Sequence, residues 1–351
     1  MLDDVELLSA LDPQGMYRHI AALPQQCTNA WKQGLSASLP PDLGDIDAVI
    51  IAGMGGSAIG GDLVASLLRD SGSVPVVVER GYDIPAWVDA DTLVIGSSYS
   101  GNTEETLSAF SQAHEKGAKL LAITTGGRLE KLAEEFGAPV LNIGYESPPR
   151  GALGYSFSLI LASLAKIGVA PDFSIDMEEA VGVMEEMQRG IGREVPEDRN
   201  AAKQLAVEIS GKFPMVMGGP LLAAVARRWK GQFNENSKTW AQFDELPEWD
   251  HNGILGLKFP KPVLEKAFVV YLDAPSDRER IRLRWDISRK IMEGAGIQTY
   301  TFRALGKSPL AQMLSAVHFG DFVSFYLAAL NGVNPTEMEA IEDLKKELAE
   351  R

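Results

Sequence analysis

The sequence is nearly without cysteine: Cys27 is the only one in 351 residues. That excludes an intramolecular disulfide framework and any thiolate cluster, and it fits a reducing compartment. The expected role of Cys27 is that of a small buried hydrophobe. Histidine is scarce as well. His19, His114, His251 and His318 are scattered, with no H-x-x-x-H or H-E-x-x-H spacing, so no metal site is predicted. Positive charge is in deficit: 33 Lys and Arg against 48 Asp and Glu leave a formal charge of −15. This argues against a nucleic-acid partner, because phosphate backbones select positive surfaces. An anionic ligand must then be gripped by local geometry. Nowhere do about 18 apolar residues run uninterrupted, so no membrane-spanning helix is predicted. The opening MLDDVELLSALD is acidic and lacks the basic n-region of a signal peptide, which makes the cytoplasm the expected compartment.

What the chain does have is alternation. DAVIIAG at 47–53, VPVVVE at 74–79 and DTLVIGSS at 91–98 are consecutive apolar runs, the pattern of strands covered on both faces. KLLAITT at 119–125 and PVLNIG at 139–144 continue the series, with helix-like stretches such as NTEETLSAFSQAHEKG between. Strand and helix in turn predict an α/β fold with a parallel doubly wound sheet. A polar stretch near GREVPEDRNAAKQ then gives way to a second block, FPMVMGGPLLAAVARRWKGQF and KAFVVYLDAPSDRERIRLRWDISRKIM, in the same order. Two similar α/β domains are expected, 1–195 and 196–351, with a C-terminal helix and an old duplication behind them. The second copy lacks the serine-rich loop of the first, so the first is expected to hold the anionic end of a ligand.

Gly53, Gly55 and Ala58 fit G-x-G-x-x-A, and Glu79 follows 21 residues after Ala58, the layout of a dinucleotide fingerprint. Against that reading stands SSYSGNTEET, which offers Ser98, Ser100 and Thr103 at the opening of another helix. Loops at the carboxyl ends of neighbouring strands face one crevice, so Ser57 and this loop can converge. Hydroxyls with helix N-terminal amides make an anion site, and the missing Gly-Lys-Ser/Thr ending disfavours a nucleotide triphosphate. A monophosphate fits these hydroxyls best. Plain helix capping is the structural alternative.

GMGGSAIGGD together with SYSGNTEET resembles the sugar isomerase (SIS) family, and more closely the bifunctional phosphoglucose/phosphomannose isomerases. The similarity continues through PPRGALGYS at 148–156, NENSK at 234–238, ELPEWDHNG at 245–253 and NPTEMEAIEDLKKEL near the end. The resemblance implies aldose–ketose isomerisation of glucose 6-phosphate and fructose 6-phosphate, and of mannose 6-phosphate, without cofactor or metal. It makes Gly55, Gly56, Ser57, Ser98, Ser100 and Thr103 the phosphate grip. It makes Glu235 the proton-transfer base, in a segment expected to bury it, and Arg150, aimed by two prolines, the cation beside the enediolate. His251 becomes the ring-opening residue, reaching the site of an adjacent subunit in a homodimer, and Lys345 its assistant, with Lys346 one register away. Gly253 departs from the family pattern, where an acid often follows His-Asn. A non-catalytic phosphosugar sensor, a nicotinamide oxidoreductase and an amino-sugar isomerase are the rival readings.

Overall fold

The computed structural model describes residues 1–40, 43 and 45–350. Two parallel sheets organise it. β1 (Ala48–Ala52), β2 (Val76–Glu79), β3 (Thr92–Ser98), β4 (Lys119–Thr124) and β5 (Val140–Asn142) form the first, in the order β2-β1-β3-β4-β5. β1 and β3 are buried along their whole length. They are central strands sandwiched by helices, which is why their sequences are unbroken apolar runs. β6 (Phe213–Gly218), β7 (Gln242–Glu245), β8 (Ala267–Asp273) and β9 (Gln298–Arg303) form the second, in the order β7-β6-β8-β9. The first strand of each sheet lies inside, the second crosses to the edge and the third pairs on its other side, so both sheets are doubly wound in the same sense. β7 and β9 belong to no apolar run. As sheet edges they have partly exposed residues, and their sequences, QFDE and QTYTFR, are polar accordingly.

Between the sheets runs the helix Pro309–Leu330, whose residues 310–329 are all buried. By length and composition it is apolar enough to cross a membrane, but 94% of its apolar window lies inside the molecule. The sequence masks this because Gln312, His318 and Asp321 interrupt the apolar run. A helix apolar all round belongs in a core, and its polar residues are paired there. His318 Nε2 lies 3.1 Å from Gln188 Oε1, and burial pushes its pKa down to about 3, so the ring stays neutral. Asp321 meets Arg228 at 2.6 Å. Cys27 is buried as expected, its thiol pushed up to about 12 by burial and therefore unreactive.

Candidate active site

The site grows from the carboxyl ends of β1 and β3. After β1 the chain turns through Gly55 at φ +49°, in the left-handed region that favours glycine, and enters the helix Gly55–Leu68. Gly56 has a second reason. A Cβ there would stand 3.1 Å from the Arg150 backbone nitrogen, so glycine lets this helix pack closely on the turn Pro149–Ala152. Ser57 is buried, and its Oγ accepts a hydrogen bond from the Tyr99 backbone N–H at 3.1 Å. That bond ties the two predicted phosphate loops together. Ser98, also buried, lies 3.0 Å from Thr103 through their hydroxyls, while Ser100 is exposed at the rim.

The capping alternative does not describe these hydroxyls. Thr103 occupies the N-cap position of the helix Glu104–Glu115 but makes no side-chain cap bond, and Ser57 lies beyond the N-cap, Met54, of its helix. Glu79 does not suit a ribose either: its Oε1 accepts the backbone N–H groups of Arg80 and Gly81, both at 2.8 Å.

Arg150 is buried at the heart of the site. Its Nε donates to Asn236 Oδ1 at 2.7 Å, Nη1 faces Glu235 Oε2 at 3.4 Å, and Nη2 donates to the carbonyls of Pro335 and Thr336 at 2.6 and 3.1 Å. Burial pushes its pKa below the usual arginine value, opposed by the Glu235 carboxylate. Glu235 ends the helix Ala223–Glu235 and is 31% exposed. The expected burial is therefore only partial: the carboxylate stands at the cavity wall, open to a ligand. Lys238, at φ +54°, donates to the carbonyls of Glu235 and Asn334 at 2.9 and 2.7 Å, pinning NENSK to NPTEM. Behind it Arg228, clamped by Asp321, donates to the Arg150 carbonyl at 3.1 Å.

Gly55, Gly56, Arg150, Gln232 and Glu235 thus line one cavity of about 340 Å³. His251 and Lys345 do not line it; both are exposed. Asp250 turns away from His251 to Arg284 at 2.8 Å and Ser288 at 2.6 Å. Gly253 has a packing cause, since a Cβ there would lie 2.3 Å from the Trp249 indole, leaving no room for an acid. The sequence reading missed Asn236, which orients Arg150. Its place inside NENSK was the available signal.

The model of the bacterial phospho-glucose isomerase C-terminal SIS domain matches residues 198–348, and that of the SIS domain residues 43–138. A bifunctional phosphoglucose/phosphomannose isomerase from Caldicellulosiruptor bescii is 42% identical over 336 residues, 95% of this chain and 99% of that one. The chain belongs to the bifunctional phosphoglucose/phosphomannose isomerase family. It is an isomerase. Another such family member, from Aquifex aeolicus, is 38% identical across 88% of this chain and 92% of its own length. Among solved structures, a hypothetical protein from Thermus thermophilus shares the fold at a TM-score of 0.74 and 17% identity, covering 98% of this chain and 92% of that chain. The NENSK and PPRG segments, distant in sequence, meet at the Arg150 guanidinium.

Proposed function

We propose that this isomerase interconverts glucose 6-phosphate and fructose 6-phosphate, and mannose 6-phosphate with the same ketose, by metal-free proton transfer through an enediolate. The observation that carries the reading is the Arg150–Glu235 pair in one cavity with Gly55 and Gly56, whose loop is tied to the serine loop through Ser57 and Tyr99. Ser57, Ser98, Ser100 and Thr103, with the Gly55 and Gly56 backbone, hold the phosphate, helped by the first-turn amides of two helices. In the aldose-to-ketose direction Glu235 takes the C2 proton and negative charge moves onto O1. The same carboxylic acid returns the proton to C1 while the O2 proton passes to O1. Arg150 faces the enediolate oxygens with a preorganised guanidinium. Rotation about C2–C3 lets one carboxylate serve both epimers.

Ring opening falls to His251 of an adjacent subunit, assisted by Lys345. Support comes from the surface around His251, where Leu255 and Phe259 are 78% and 75% exposed. Leu283, Ile287 and Ile291 recur every fourth residue along one face of the helix Glu279–Gly294, also exposed. Such an apolar patch fits a second copy of the chain. We divide the chain at residues 195/196, one sheet to each half, and assign it to the cytoplasm.

The test is incubation with fructose 6-phosphate in deuterated water. Deuterium is expected at C2 of the glucose and mannose phosphates formed. Absence of both product and label removes the isomerase assignment for these sugars.

A further inference from the structure

We propose that the cavity carries a second anion subsite, formed by Arg80, Arg227 and Lys230, which takes the far phosphate of a sugar bisphosphate and makes such a compound a competitive inhibitor. The proposal rests on the reading of the serine loop as the grip for the first phosphate.

The topology supplies two sides. β1 lies between β2 and β3, so the turn after β2 and the loop after β3 flank the glycine loop from opposite directions. The loop after β3 carries Ser98, Ser100 and Thr103; the turn after β2 begins at Arg80. The facing helix supplies the rest. Arg227, Gly231 and Glu235 stand at i, i+4 and i+8 on the helix Ala223–Glu235, one face about 12 Å long from Arg227 to Glu235. A Cβ on Gly231 would meet nothing within 4 Å, so the trough between the two ends is open. Arg80, Arg227, Lys230, Gly231 and Glu235 line the same cavity as Arg150 and the Gly55–Gly56 turn.

The charges exceed what the fold needs. Asp62 Oδ2 pairs with both Arg80 Nη2 and Arg227 Nη1, the latter at 3.3 Å, and is itself 14% exposed. One arginine would satisfy that carboxylate. The second arginine and Lys230 leave two positive charges at a cavity mouth, in a chain of net charge −15. Arg80 and Arg227 remain 31% and 44% exposed, and each guanidinium makes one hydrogen bond among the described residues, so most of its donors are left for a ligand or solvent. Phe243 lies under the Arg227 guanidinium, 5.0 Å from its ring centre, and holds the planar fork in place. Forked guanidiniums with an ammonium match a phosphate dianion. A hexose monophosphate held by the serine loop with its reacting carbons at Glu235 has no anion to offer them. A hexose carrying phosphates at both ends does.

Fructose 1,6-bisphosphate is the probe, with inorganic phosphate as the single-anion control. Competitive inhibition of fructose 6-phosphate turnover is expected, with a Ki at least about tenfold below that of inorganic phosphate, as one charge-assisted contact supplies. Arg227→Ala and Lys230→Ala should each raise that Ki about tenfold while KM for fructose 6-phosphate moves less than about threefold. Lys230→Ala removes no ion pair among the described residues, so it keeps the test open if Arg227→Ala destabilises the fold. Equal Ki values for the two probes would overturn the proposal, and so would a Ki and KM that rise together in both variants. Calorimetric titration of the bisphosphate needs no turnover. Tight binding without isomerase activity would therefore sink the proposed reaction and leave the subsite standing.

Discussion

Asn236 is the residue on which the Arg150 geometry turns. It is fully buried, accepts from Arg150 Nε at 2.7 Å and donates to Ser324 Oγ at 2.9 Å, so its amide has one orientation. Asn236→Ala leaves a buried guanidinium N–H without its acceptor, a loss of about 1 to 3 kcal/mol. The expected outcome is a kcat lowered about tenfold or more with little change in KM, and a lower Tm, because in the proposed mechanism Arg150 serves the enediolate rather than the bound sugar. Steady-state kinetics and thermal unfolding check it. An Asn236→Ala enzyme with unchanged kcat would mean that the remaining contacts to Glu235, Pro335 and Thr336 suffice. Asparagine beside Glu235 was readable in NENSK, but its partner 86 residues earlier was not.

At the scale of elements, the two sheets treat the same glycine turn differently. After β1 the turn opens onto hydroxyls. After β6 the counterpart, Gly218 and Gly219, is covered by Asp277: a Cβ on Gly219 would lie 2.3 Å from Asp277 Oδ2. The second half fills its own anion position with a carboxyl group. Burial pushes the Asp277 pKa up to about 6, opposed by the Leu221 amide, against 3.8 for an ordinary aspartate. An acid whose folded pKa lies above its unfolded one holds its proton longer in the folded chain. This group's contribution is therefore intact below pH 3.8 and is lost as pH rises from there through about 6. Asp277→Asn is expected to stabilise the protein at pH 7 by about 1 to 2 kcal/mol after allowance for its partial exposure, and by much less near pH 4. Urea unfolding at the two pH values measures the difference. A gain of equal size at both would place its cause elsewhere than in ionisation. The same scale explains which strands were legible. β1 and β3 are central and advertise it by unbroken apolar runs; β7 and β9 are edge strands whose partly exposed, polar residues carry no such signal.

For the whole molecule the open question is where His251 works. Within one chain it stands exposed, outside the cavity that Glu235 lines. Subunits carrying Glu235→Gln and subunits carrying His251→Ala are each expected to be nearly inactive alone. Mixed and reassembled, half the dimers pair one of each, and in those one site regains both residues, so about a quarter of full activity should return. Assay after mixing reads this directly. No recovery, with dimers verified by sedimentation, would make His251 a residue of its own subunit or of none.

The sequence by itself determined the chemistry on offer and the local order of elements. Apolar runs, glycine turns, hydroxyl loops and the NENSK and PPRG segments are written in neighbouring residues, and neighbours dictate strand, helix and turn through short-range sterics and burial pattern. The pairing of Glu235 with Arg150, the closure of Pro335 and Thr336 over the guanidinium, and the arrival of Arg80 and Arg227 at one carboxylate were decided only by tertiary structure. The Arg150 guanidinium reaches Glu235 and Thr336, 85 and 186 positions away, and Asp62 and Arg227 lie 165 apart. No local periodicity encodes such distances. They follow from how two doubly wound sheets pack about one buried helix, and that packing is a property of the assembled core.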